Sequence, residues 1–378
     1  MADRLAKLTR RVASATLLLA LGVPLHALDP VARLARGLEE GERTLGFEAK
    51  WGYLRSLLEA LDIPVSSQLL VFSKTSAQFR WITPKTPRAI YFNDDTYVGW
   101  VPNAPLIEIS TVGGSGVGEF YTLEQRSVPR PEIVRDNGAC LQCHESHRTL
   151  RVPGHLTRSV FPGPDGLPHF RHGTINVDYR TPLTDRWGGW FVSGSPRTVH
   201  RGNAIGSDGA YGEFASGRLS RDHREYFDPR QYLTPYSDVV AHLVLAHQTR
   251  VHNSIARAGS EARRALAYRE EMVRLFGEPS EELLASVERR IRAPAEELAR
   301  DLLLAGEAVL TQPVRGDSGF AHDFQARGVR DAEGRSLRDL DLESRLFRFP
   351  CSYLIGSEAF GRLPDPVRTQ ADSMFDAV

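Results

Sequence analysis

The stretch PRAIYFNDDTYVGWVPNAPLIEIS, residues 87–110, decides the fold class. Within it AIYF (89–92), YVGWV (97–101) and LIEIS (106–110) are short runs of β-branched and aromatic residues, divided by Asn-Asp, Pro and Gly signals. That texture belongs to consecutive strands joined by tight turns. LLVFS (69–73) adds a run upstream. Downstream, SVF (159–161), Pro164-Asp165-Gly166 and HFRHG (169–173) read as a hairpin, and Arg186 to Val192 as a further strand.

On either side of this β-rich region the period changes. TLGFEAKWGYLRSLLEAL (44–61) repeats apolar residues at helical spacing. Ser237 to Glu271 predicts a long helix opened by Pro235 and the capping candidates Ser237 and Asp238, followed by helices over 280–292 and from Pro294 to Leu304. Residues 312–342 read as a polar, Gly-rich loop, and FRFPCSYLI (347–355) returns to the core with Cys351. The expected class is α+β, with a β-rich N-terminal half and a mainly helical C-terminal half. The expected divisions are 28–128 (helix plus strands), 129–205 (a polar, turn-rich segment with the hairpin) and 206–378 (helices packing on that middle part).

The chain of 378 residues carries 47 basic and 47 acidic side chains, and no basic block stands out, which argues against nucleic acid as a partner. Residues 1–11 are basic, VASATLLLALG (12–22) is uncharged and apolar, and a small-residue cut is expected after Ala27. This is the pattern of a secretory signal peptide over 1–27 and places the mature chain in the periplasm; a membrane attachment is expected only if the leader stays uncleaved.

Three cysteines in an exported chain cannot all pair internally, and two of them are only three apart. Cys140-Leu141-Gln142-Cys143-His144 is the C-x-x-C-H string in which two thiols add to the vinyl groups of haem and the His becomes the proximal iron ligand. Two other readings compete with haem. A redox disulfide calls for a βαβ setting, whereas residues 135–154 are polar and turn-rich, and zinc calls for two more ligands, for which His147 and His155 are the nearest residues.

The only methionines are Met1, Met272 and Met374, so thioether ligation close to the motif is not expected and the reduction potential should be low to intermediate. Among the histidines, His247 sits at the centre of the apolar face of the long helix, with Val240, Leu243, Val244 and Val251 beside it. It is the favoured distal ligand, His200 the second candidate, and a five-coordinate iron the alternative. His242 and His252 fall about 140° to either side of it, nearer the expected polar flanks. Arg186 is a candidate partner for a haem propionate.

The strings LLVFSKTS (69–76), PRAIYFNDDTYVGWV (87–101), FYTLEQ (120–125), CLQCH (140–144), RWGGWFVSG (186–194), HRGN (200–203), HQTRVHN (247–253) and RLFRFPCSYLI (345–355) resemble those of a bacterial family of exported, single-haem, cytochrome c domain-containing proteins. The resemblance implies one continuous fold over the mature chain, with Cys140, Cys143 and His144 as the haem site. It also implies that Met often stands in relatives where this chain has Arg201 and Val251, so that neither position is a required Met ligand.

The expectation is therefore a periplasmic c-type cytochrome that exchanges single electrons with redox proteins or small donors and acceptors, with haem attached in the 129–205 region, 206–378 packing on the haem part, and a fold that is not the small all-α cytochrome c fold alone. A gas or redox sensor with five-coordinate iron and a peroxidase-like oxidoreductase are the rival readings.

Overall fold

The computed structural model describes residues 29–195 and 199–375; the expected leader lies outside them. Asp29 and Pro30 begin the first element. The Asp29 carboxylate accepts from the amides of Val31 and Ala32, Pro30 occupies the first turn, and Gly41 closes helix α1 (Pro30–Glu40) at φ 77°. Val31, Leu34 and Leu38 form its buried stripe. The other Asp29 oxygen accepts from Tyr121 Oη at 2.6 Å, which ties this cap to the sheet. Helix α2 covers only Leu54–Ala60. The helix expected over 44–61 is thus shorter, because residues 48–52 close a tight turn between Glu48 and Gly52.

The strands are β1 (Leu69–Val71), β2 (Arg88–Phe92), β3 (Thr96–Trp100), β4 (Leu106–Val112), β5 (Gly118–Glu124) and β6 (Ile133–Arg135), then the hairpin β7 (Thr157–Val160) and β8 (Thr174–Val177), and finally β9 (Trp190–Phe191). Seven of them form one antiparallel sheet in the order β6-β5-β4-β3-β2-β1-β9. The expected hairpin is present, but HFRHG lies in its connection rather than its second strand, and the strand expected over 186–192 shrinks to two residues because Trp187 turns at φ 70°.

Register fixes which side chains share a face. Val98 pairs with Ile109, and Ile109 with Tyr121; with Trp100, Ile107 and Leu123 these face α1 and α2. Tyr97 pairs with Ser110 and Ser110 with Phe120, and Gly99 with Glu108, which puts polar and aromatic groups together on the opposite face.

After helix α3 (Leu141–His144) and the short α4 (Tyr211–Ala215), the C-terminal half is built on α5 (Val239–Phe276). Asp238 caps it through Val240 and Ala241, and its second oxygen accepts from the amides of Asp317 and Ser318, so one buried carboxylate fixes both the helix start and the returning chain. From Val239 to Ala256 α5 is buried on nearly all sides, His242 and His252 included, so the polar flanks expected at those two positions are absent. The sheet face covers one side, and α6 (Glu281–Leu302) with the C-terminal segments covers the other.

Helix α6 is continuous through Pro294. The sequence signal for a fresh start there is instead a proline inside the helix, which leaves one carbonyl of the preceding turn unbonded. The loop expected over 312–342 contains helix α7 (Phe320–Ala326), whose Phe320 and Phe324 are buried; α8 (Glu358–Gly361) and α9 (Asp365–Phe375) complete the chain. The architecture is α+β, with an antiparallel sheet in the N-terminal half and helices in the C-terminal half. Among the described residues no helix is long and apolar enough to cross a membrane.

Candidate functional site

The C-x-x-C-H string sits on the single turn of α3, beside the polar face of the sheet. Asp136 sets its start: one carboxylate oxygen accepts from the amides of Gly138 (2.8 Å) and Cys140 (3.0 Å). Cys140 O then accepts from Cys143 N and His144 N, which holds the two thiols one helical turn apart. Both thiols are free; Cys143 is exposed and Cys140 half-buried. Burial, and after it the Asp136 carboxylate, push the Cys140 thiol up to about 12. A redox-active C-x-x-C pair needs the opposite, a depressed thiol pKa.

His144 is oriented by the main chain. Its Nδ1 lies 2.8 Å from Gly154 O, and because a carbonyl only accepts, Nδ1 carries the proton and Nε2 keeps its lone pair. Burial holds the ring below the usual histidine range, with the Gly154 bond acting in the opposite direction. A neutral imidazole with Nδ1 bonded to a backbone carbonyl is the state in which a histidine binds a metal through Nε2. The ring packs on Phe120, with centroids 4.8 Å apart.

Gly154 is placed by the long helix. Asn253 on α5 accepts from His155 N at 2.9 Å and donates to His155 O at 2.7 Å. The approach is so close that a Cβ on Gly154 would stand 2.2 Å from Asn253 Oδ1. His155 itself bonds Ser110 Oγ through Nε2 at 3.0 Å, and its ring lies 4.3 Å from Tyr97 and 5.9 Å from Phe120.

Beyond it the proton positions follow from the donors. Gln248 Nε2 spends its two hydrogens on Asn93 O and Tyr97 Oη, and Gln248 Oε1 accepts from Tyr353 Oη. Tyr97 therefore gives its own proton to His252 Nδ1, 2.9 Å away. His252 Nε2 then carries the ring hydrogen, buried without a hydrogen-bond partner among the described residues.

The remaining expected site residues lie elsewhere. His247 is fully buried in the C-terminal core, with Nε2 2.8 Å from Ser352 Oγ and the rings of Tyr179, Phe347 and Tyr353 around it. His200 is buried against Trp187, and its Nδ1 accepts from Gly202 N. Neither shares a ring contact with His144, Phe120 or His155. Arg186 is buried and donates to the carbonyls of Thr181 and Tyr179. The guanidinium near His144 is that of Arg88, which lies across Gly99, pairs with Glu108 at 2.8 Å and acts electrostatically on both His144 and Cys140.

No family model, curated protein or solved structure matches this chain. Among the described residues no group of three or more His, Cys, Asp or Glu side chains is arranged to hold a metal ion. The donors available at this site are one imidazole nitrogen and two thiols on a single turn, a set suited to a group that brings its own equatorial ligands.

The sequence did not single out Gly154, Asn253, Phe120, Tyr97 or Arg88. Asn253 had a signal, since HQTRVHN places it six residues after His247 and hence on another face of α5. The other four are brought to His144 by sheet register and loop closure.

Proposed function

We propose that this chain binds one haem c through Cys140, Cys143 and His144 and passes single electrons between partners outside the cytoplasmic membrane. The observation that carries the reading is the Nδ1 bond of His144 to Gly154 O, which leaves Nε2 available on a residue flanked by two free thiols. When bound, haem supplies the one-electron iron couple and the porphyrin nitrogens. The chain's residues do the rest. Gly154 and Phe120 fix the His144 ring, Asn253 holds the Gly154–His155 main chain in place, and Arg88 rather than Arg186 offers a guanidinium to a propionate. Exposed Cys143, Gln142 and Glu145 leave the attachment turn open to a docking partner.

A second reading, a gas-binding or peroxide-reducing iron with an open sixth position, is favoured by the placement of His247 and His200 away from the His144 ring environment. An absorption spectrum separates the two readings, recorded oxidised and then reduced with and without carbon monoxide on protein matured with the cytochrome c assembly machinery. Low-spin bands indifferent to carbon monoxide support electron transfer, and a high-spin spectrum that shifts with carbon monoxide supports the second reading. Haem that leaves the chain on denaturation overturns both.

A further inference from the structure

Just after the attachment turn the chain makes a corner in which two adjacent non-glycine residues, Leu150 and Arg151, both adopt left-handed conformations, with φ 59° and 60°. Such a pair is costly and is held here by Arg151 N bonding Ser146 O at 2.8 Å and by the Ser146–Thr149 capping box. The corner places both side chains in the wall of an open cleft of about 630 Å³ against α5 and α6.

The cleft is strongly basic. Arg151, Arg257 and Arg264, together with Arg289 and Arg290 of α6, line it, and Glu261 is the one carboxylate among its lining residues. Arg257 is held by Glu297 at 2.6 Å, Arg264 by Glu261 at 3.1 Å, and Arg290 lies over the Tyr268 ring. Arg151 and Arg289 make no ion pair among the described residues, so two guanidinium groups of the lining, one on the corner and one on α6, stand free. Leu150, Ala293 and Pro294 supply apolar surface in the same lining.

We infer that this cleft binds a small organic polyanion, of the class of di- and tricarboxylates or phosphate esters. Its volume is that of a small-molecule site rather than a protein footprint. Guanidinium forks bind carboxylate and phosphate oxygens in pairs, and the apolar strip accommodates a carbon skeleton. The inference stands independently of the haem, because none of the lining side chains takes part in attachment.

The test is calorimetric titration of the full chain at low ionic strength with citrate and with pyrophosphate, acetate serving as the monoanion control. Saturable binding of a polyanion is expected, weakening as salt rises. In the double variant Arg151→Gln/Arg289→Gln affinity should fall by about tenfold or more, each lost charged bond being a substantial part of a small ligand's binding. Both positions are exposed, so the fold is retained, and an unchanged circular dichroism spectrum verifies it. Arg368→Gln, on α9 and outside the cleft lining, should bind as the parent does. No saturable binding, equal binding by the double variant, or binding of an acidic polypeptide without binding of citrate or pyrophosphate would each overturn the inference, the last in favour of a protein-docking face.

Discussion

Asn253, in the middle of α5, grips both backbone groups of His155, accepting from its amide at 2.9 Å and donating to its carbonyl at 2.7 Å. The carbonyl that orients His144 belongs to the preceding residue, Gly154. The helical half of the molecule thus sets the geometry of a motif that lies in the β-rich half.

Asn253→Ala should therefore loosen the site without touching the motif. It strands the His155 amide and carbonyl in a buried position, at a cost of about 2–4 kcal/mol for two groups. Urea unfolding should show that loss, and the haem-loaded variant should show broadened or shifted bands while keeping its haem covalently attached. A variant with parental stability and spectrum would remove Asn253 from the positioning of His144.

Gly154→Ala tests the same contact from the other side. The added methyl would stand 2.2 Å from Asn253 Oδ1, so either the main chain or the amide has to move. A loss of about 1–3 kcal/mol is expected, read as a lowered thermal midpoint. Gly209→Ala is the control, since a Cβ there meets nothing within 4 Å. Equal behaviour of the two variants would contradict the close approach.

Stability should fall as the solution is acidified. Burial lowers the pKa of His242, His247 and His252 to about 3 and that of His200 to about 4. In the unfolded chain these rings bind a proton near the ordinary value of about 6.5, so below that pH the unfolded state holds more protons than the native one. The stabilisation is complete above about pH 6.5 and is lost as pH falls towards 3–4, at up to about 1.4 kcal/mol per pH unit for each ring. Asp95, whose acid form burial favours up to about 6, acts in the opposite direction below that pH, and burial likewise favours the acid forms of Asp301 and Asp317. Urea midpoints should be flat from pH 8 to 7 and decline from pH 6.5 downward. A flat profile to pH 5 would mean that these rings are not buried neutral.

The sheet was legible because 87–110 alternates short apolar runs with turn residues, and β2, β3 and β4 fall where those runs lie. The start of α5 was legible from Asp238, whose carboxylate does cap it. Helix α1 was overlooked although Asp29-Pro30 and Gly41 bracket it, because it abuts the stretch expected to be a leader. Pro294 misled because a proline in a first turn and a proline inside a helix look alike until packing decides. The motif itself was local and easily seen. Its surroundings were not, since Phe120, Gly154 and Asn253 meet only through register and closure, and helical periodicity ranked His247 by the apolarity of its face without saying what covers that face.

His247→Ala separates a ligand from a core residue. The ring fills space between Tyr179, Phe347 and Tyr353, and its Nε2 bonds Ser352 Oγ. Removing it opens a cavity and should cost about 2–4 kcal/mol, visible as a lower thermal midpoint. The haem spectrum should remain that of the parent, because no ring contact joins His247 to Phe120 or His155. His144→Ala should do the reverse. That ring is only partly buried, so the fold suffers less, while a haem bound as proposed would lose the one imidazole whose Nδ1 is already committed to a backbone carbonyl. A low-spin parent spectrum that turns high-spin in His247→Ala would reverse this assignment and make α5 the distal wall of the haem site.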